Sequence, residues 1–260
     1  MEPRTDRIEI EYTLTFATLF HCGTGIREGL VDRTVVRNNQ GYLYVPGSTF
    51  KGVLRERCEQ LARAYVQDAQ EKQRIASPYN AEVALWNLGR KPTMITRIFG
   101  AQNVPGSLFF DDAMQNEQDT LSEIDQYKEL QVGVYTQVRI DRPTHTTVPG
   151  ALYTSEFGTK DTVFNGAIQG WLSCIPVGGS GVTIDHIPHT DLAPTYSSLL
   201  LLGGLQLVER LGGNKSTGKG QCECKITRVA MRGENCPETL WKSWLGQLNV
   251  LDGYQEALEG

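Results

Sequence analysis

Residues 8–20 constrain the fold more than any other stretch. Ile8, Ile10, Tyr12, Leu14, Phe16 and Phe20 share one parity, and only Thr18 breaks the series. Such a period of two describes a strand with one face in the core and one in water. A glycine-rich stretch follows (His21-Cys22-Gly23-Thr24-Gly25), then a charged segment over 27–37 and a turn at Asn39-Gln40-Gly41, all read as loop. Pro46-Gly47-Ser48 opens a helix in which Phe50, Val53, Leu54, Cys58, Leu61 and Tyr65 keep three-four spacing, with Lys51, Arg55 and Arg63 off the stripe.

Beyond this helix, Pro78, Gly89 and Pro92 break the pattern, so about 67–96 is expected to be an insertion, followed by a helical turn at 97–100. A short strand is expected at 106–111, an acidic loop over about 111–129, and an alternating strand at 132–140. A strand at 162–175 is expected to pair with it, and the Thr-, Pro- and Gly-rich stretch between them to project as a hairpin over about 141–161. A second apolar helix (194–211), a glycine-rich turn and a last strand (221–231) complete the order β, α, β, β, α, β. The expected fold is therefore α+β, a ferredoxin-like (RRM-like) arrangement with insertions, in one domain spanning 1–260.

Charge decides less than it first suggests. The net charge is −5, but seven acids and one base fall between Asp111 and Glu129; outside that stretch 24 bases face 23 acids. Local basic patches, the footprint of phosphate binding, are thus compatible with the overall balance. The longest apolar run, 197–207, is too short and glycine-interrupted to cross a bilayer, and the polar start of the chain lacks the apolar core of a secretion signal. Six cysteines without a Cys-x-x-Cys pair fit a reducing compartment, and a cytoplasmic location with no membrane partner is expected.

Gly213-Asn-Lys-Ser-Thr-Gly218-Lys219-Gly220 imitates a P-loop, yet glycine follows the lysine and a strand follows the loop, which argues against an ATP site. Lys215, Ser216, Lys219 and the loop amides suit either a nucleic-acid backbone or a solvated turn. His186, His189, Cys222 and Cys224 lack the spacing of a zinc site. Asp32, among Arg27, Arg33 and Arg37, reads by itself as a solvated carboxylate, and His21 as a strand-end hydrogen-bonding group.

Six segments occur in one order: Phe20-His-Cys-Gly-Thr-Gly25; Gly29-Leu-Val-Asp32; Tyr44-Val-Pro-Gly-Ser-Thr-Phe-Lys-Gly-Val-Leu-Arg55; Arg97-Ile-Phe-Gly100; Ile140-Asp-Arg142 with Gly150-Ala-Leu-Tyr153 and Glu156; and Leu211-Gly-Gly-Asn-Lys-Ser-Thr-Gly-Lys-Gly220. Together they resemble the RAMP superfamily, specifically the repeated backbone subunit of type III CRISPR effector complexes. That resemblance implies a ferredoxin-like palm with a thumb hairpin, stacked in copies along a CRISPR guide RNA, with single-stranded target RNA and other subunits of the complex as partners. It implies RNA contacts from His21, Ser48, Thr49, Lys51, Arg55, Arg139, Arg142, Lys215, Ser216 and Lys219. Asp32 matches the aspartate with which active members cut target RNA, a metal-assisted step using Mg2+ or another divalent cation. A non-cleaving scaffold and a guide-processing nuclease using His21 are the alternatives.

Overall fold

The computed structural model describes residues 5–66, 92–102, 104–115, 130–173 and 193–254, with the single positions 72, 75, 175 and 177. Most of the expected insertion, most of the acidic stretch, and His186 and His189 lie outside the described residues.

The alternating segment forms β1 (Thr5–Phe16), whose even-numbered side chains are buried from Asp6 to Phe16. It occupies the middle of an antiparallel sheet, between β5 (Val163–Ser173) on one side and β6 (Cys222–Met231) on the other. The short β2 (Leu108–Phe110) borders β5, and β7 (Glu234–Asn235) borders β6. The order is β2-β5-β1-β6-β7. With helix α1 (Gly47–Tyr65) after β1 and helix α3 (Tyr196–Gln206) after β5, this is the split βαβ connectivity expected from the sequence.

One face of the sheet carries the core. Tyr12 stacks on Phe50 of α1 with ring centroids 4.2 Å apart, over Gly166 of β5, where any Cβ would collide with the tyrosine ring. Burying each large side chain of this face contributes about 1.5–3 kcal/mol, so β1 is one of the main contributors to the core. Helix α3 is buried over its first ten residues, Tyr196 to Leu205, which suits its run of leucines. A Thr195–Ser198 capping box starts it, and Gly204 lets Cys58 of α1 approach its backbone. The short α2 (Met94–Phe99) packs beside α1, and α4 (Glu238–Leu245) closes the core with Leu240, Trp241 and Trp244. Among the described residues no helix is long and apolar enough to cross a membrane.

One expected pairing is replaced. β3 (Val132–Asp141) does not pair with β5 but with β4 (Thr146–Gly158), so the two form a separate two-stranded hairpin that starts at Val132 rather than near 141. The alternation of Val132, Val134, Val138 and Ile140 suggests a half-buried strand, yet Val134, Val138 and Ile140 are exposed. The period of two was real; the apolar parity faces outward.

Candidate nucleic-acid interface

Beyond β1 the chain continues to Phe20, which exchanges two backbone hydrogen bonds with Gly158 at the root of the hairpin (3.1 and 2.8 Å). The Phe20 ring lies where a Cβ at 158 would be, which explains the glycine. His21 comes next. Its Nδ1–H donates to the Glu156 carbonyl at 2.8 Å, and its own carbonyl accepts from Gly213 N–H at 2.7 Å. His21 therefore ties three elements together: the end of β1, the hairpin root and the glycine-rich loop.

That loop is closed at its base by Leu211 N–H donating to Gly220 O (2.8 Å) and Gly220 N–H donating to Leu19 O (2.7 Å). Gly220 adopts φ +70°, and a Cβ there would fall on the Leu211 carbonyl, so no other residue fits. Between these anchors Lys215–Thr217 forms a 3-10 turn flanked by Asn214 and Gly218, both in the left-handed region. The two lysines splay. Lys219 Nζ lies 5.7 Å from the Tyr135 ring centroid and 5.4 Å from that of Phe157 on the hairpin. Lys215 Nζ reaches 3.9 Å from Glu56 on α1, leaving Ser216 exposed at the apex.

The start of α1 lies against β2 and the residues that follow it. It has no side-chain cap and no acid in its first turn, and Gly47 N–H donates to Asp112 Oδ1 at 2.8 Å. Ser48 is exposed and Thr49 half-buried. Lys51 Nζ stands 5.6 Å from the Phe110 ring centroid; partial burial, then the charge of Arg55, holds its ammonium below the usual lysine range. Arg55 itself is committed elsewhere. Its side chain is only 15% exposed, Nε donates to Glu59 Oε1 at 2.9 Å, and Nη1 donates to Gly100 O at 3.0 Å. The buried Glu59 needs that countercharge, so Arg55 serves the junction of α1 and α2 rather than a free phosphate-binding surface.

Asp32 is less open than its polar loop suggests, with a side chain 28% exposed. Asp32 and Arg33 run along the free edge of β4, with Arg33 bridging Ser155 in parallel, while Val35 and Val36 pair with the segment 22–23. Asp32 N–H donates to Thr154 O (2.9 Å), Glu156 N–H donates to Arg33 O (2.9 Å), and Thr154 N–H donates to Asp32 Oδ2 (2.9 Å). The carboxylate thus completes the hydrogen-bond ladder with a side-chain oxygen. Asp32 Oδ1 pairs with Arg27 Nη2 at 3.1 Å. Below it, Glu156 accepts from both terminal nitrogens of Arg37 (3.1 Å each) and from Val35 N–H (3.0 Å), clamping the segment to the hairpin.

Arg139 and Arg142 stand apart from this cluster: Arg139 occupies the register shift in β3, Arg142 lies in the turn at the hairpin tip, and both are exposed. Cys222 and Cys224 are buried in β6, among the core residues. Among the described residues no group of three or more His, Cys, Asp or Glu side chains could hold a metal ion. Asp32 alone is a weak donor set, and a divalent ion fits there only if RNA phosphate oxygens supply further ligands and Arg27 yields Oδ1.

The sequence reading passed over Arg33, whose guanidinium carbon lies 5.1 Å from the Tyr153 ring centroid, and over Tyr135 and the Arg37–Glu156 clamp. Tyr135 occupies the polar parity of β3, a signal visible in the sequence. Glu156 and Tyr153 stood in the shared motifs without a role.

A family model described as the RAMP superfamily matches residues 13–223. Among solved structures, the fold is similar to a chain of the type III-B Cmr-beta complex bound to cognate target RNA, seen by cryo-EM. The TM-score is 0.51 at 12% identity, over 84% of this chain and 96% of that one. A chain of the same complex in its apo state gives a TM-score of 0.49 at 13% identity, over 84% and 97%. No curated protein sequence matches. With four-fifths of its length inside the family model, the chain belongs to the RAMP superfamily.

Proposed function

We propose that this chain is an RNA-binding backbone subunit of a type III CRISPR effector complex, and that Asp32 serves cleavage of the target RNA paired to the guide. The observation that carries the reading is convergence. His21, the Lys215–Lys219 loop and the carboxylate of Asp32 all attach to the base of the hairpin, at the Glu156 carbonyl, the Tyr135 and Phe157 rings, and Thr154 N–H respectively. Lysines suit phosphates, and a carboxylate held on the same hairpin suits a phosphodiester. The similar Cmr-beta chain belongs to a complex bound to cognate target RNA, which supports RNA as the partner.

In this reading Lys215, Lys219, Ser48, Thr49 and Lys51 bind the guide backbone, and Arg139 and Arg142 reach RNA from the hairpin tip. A divalent cation, Mg2+ or an equivalent, would offset charge at the scissile phosphate. The chain's own contribution is positional: Thr154 N–H and the Glu156 clamp hold Asp32 in place. A second reading, a non-cleaving scaffold, is favoured by one fact, that both oxygens of Asp32 are already engaged. A guide-processing nuclease based on His21 is less well supported, because Nδ1 is committed to a backbone carbonyl.

The test is reconstituted complex with labelled complementary RNA and Mg2+, wild type beside Asp32→Ala and Asp32→Asn. Regularly spaced products from wild type alone support the assignment. Equal cutting by all three removes Asp32 from the reaction, and tight target binding without cutting by any supports the scaffold. Because Thr154 N–H loses its acceptor, Asp32→Ala is also expected to lower stability by about 1 kcal/mol, with Asp32→Asn closer to wild type in urea unfolding.

A further inference from the structure

The partner that Asp32 must give up, Arg27, is held in a small loop of fixed geometry. At the base of that loop Thr24 N–H donates to Thr34 O at 3.0 Å, and the two threonine hydroxyls meet at 2.7 Å. Thr34 Oγ1 also donates to Ile26 O at 3.1 Å, and Ile26 N–H donates to Thr24 Oγ1 at 3.0 Å. At the tip Glu28 and Val31 exchange backbone hydrogen bonds of 3.0 and 2.9 Å around Gly29, which adopts φ +56°. Arg27 and Asp32 form the next pair in from this turn. Directly opposed residues share a face, so the backbone itself sets the guanidinium beside the carboxylate.

The contact is nonetheless loose. Nη2 approaches Oδ1 to 3.1 Å, but the Arg27 side chain is 71% exposed. Among the described residues no hydrogen bond engages the rest of its guanidinium. The contrast is Arg37, 32% exposed, whose two terminal nitrogens both donate to Glu156. An exposed ion pair such as that of Arg27 is weak. A phosphate offers the planar fork two oxygens at once, a geometry that Asp32 does not give it, because Oδ2 is taken by Thr154 N–H.

We propose that Arg27 is a phosphate-binding residue for the target strand that Asp32 keeps in reserve: arriving RNA draws the guanidinium onto a phosphate beside the scissile one, and Oδ1 is released. This rests on the RNA-cleaving reading above and adds the regulation of its carboxylate. Without target the charge of Asp32 is neutralised; with target the substrate itself removes the block. Arg27 is a positioning residue here, acting on the reaction through the strand it orients and the oxygen it vacates.

Guide-loaded complex assembled with wild-type chain, Arg27→Ala, Arg27→Lys, Asp32→Asn or the Arg27→Ala, Asp32→Asn double variant is titrated with labelled complementary RNA of about eight nucleotides, without divalent cations, over a salt series. Losing one phosphate contact flattens the slope of log affinity against log salt by roughly 0.7. Arg27→Ala should show that change for each copy of the chain that meets the oligomer, whereas Arg27→Lys should keep the wild-type slope. Asp32→Asn should bind roughly threefold tighter than wild type, and the gain should shrink in the double variant. Equal thermal melts establish that the variants fold. A wild-type slope in Arg27→Ala overturns the phosphate contact, and an equal gain from Asp32→Asn with and without Arg27 overturns the reserve, since repulsion alone would then account for it. In both cases the RNA reading stands if wild type binds target in a salt-dependent way. Binding of no target by wild type overturns both.

Discussion

Replacing Glu156 tests how the loop of Asp32 is held. In Glu156→Ala the buried amide of Val35 loses its acceptor, and Arg37 loses a bidentate partner. An unsatisfied buried amide costs about 1–3 kcal/mol. The ion pair adds less, since Arg37 is 32% exposed and can rehydrate, so about 0.5 kcal/mol is its share. The sum is about 1.5–3.5 kcal/mol, and for a chain of this length that is a fall in Tm of roughly 3–14 °C. Glu156→Gln keeps an acceptor for Val35 N–H and should lose only about 1 kcal/mol. Urea unfolding gives the stabilities, and amide hydrogen exchange over residues 31–37 gives the local effect, with Val35 exchanging faster in the alanine variant. If Glu156→Ala matches wild type in stability and in the protection of Val35, the clamp does not hold this segment and the account of Asp32 positioning fails with it.

Two further perturbations address the sheet and its thiols. At Gly47 a Cβ would fall on the Phe110 carbonyl, so Gly47→Ala should destabilise by about 1–3 kcal/mol in thermal unfolding by lifting the start of α1 from β2. Burial pushes the thiols of Cys22, Cys222 and Cys224 from an ordinary 9.0 up to about 12. The folded chain thus keeps protons that the unfolded chain releases, so their contribution to stability is complete below pH 9 and is lost as pH rises towards 12. Unfolding followed by circular dichroism across that range should show the decline, and a flat profile would contradict it.

The palm was legible because its signals are local and agree with one another. The parity of β1, the three-four spacing after Pro46 and the leucine run of α3 each name an element whose burial matches. The hairpin misled for a physical reason: alternation reports two unlike faces, and says nothing about which face meets a core. Val138 and Ile140 look like core residues and stand in water. Helix α4 went unread because its Leu240, Trp241 and Trp244 span too few turns to establish a period. At the site, Arg55 is the instructive residue. Its position one turn after Lys51 reads as phosphate-facing, but the partner that claims it, Glu59, is visible only as an i,i+4 carboxylate whose burial no sequence reveals. The Arg37–Glu156 contact joins residues 119 apart in sequence, beyond the reach of spacing arguments.

The anchoring of β4 at Asp32 and Arg33 makes the hairpin a lever with unequal arms. From Thr146 to Thr154 the strand extends about 27 Å at ~3.3 Å per residue, while Asp32 is bonded directly to Thr154 at the pivot. A swing of about 5° would carry the tip through roughly 2 Å on that length, yet shift the carboxylate by a small fraction of an ångström. Arg142 at the far end can therefore follow a moving partner while Asp32 keeps its station. Amplitude is spent at the exposed tip, and precision is retained at the pivot beside Asp32.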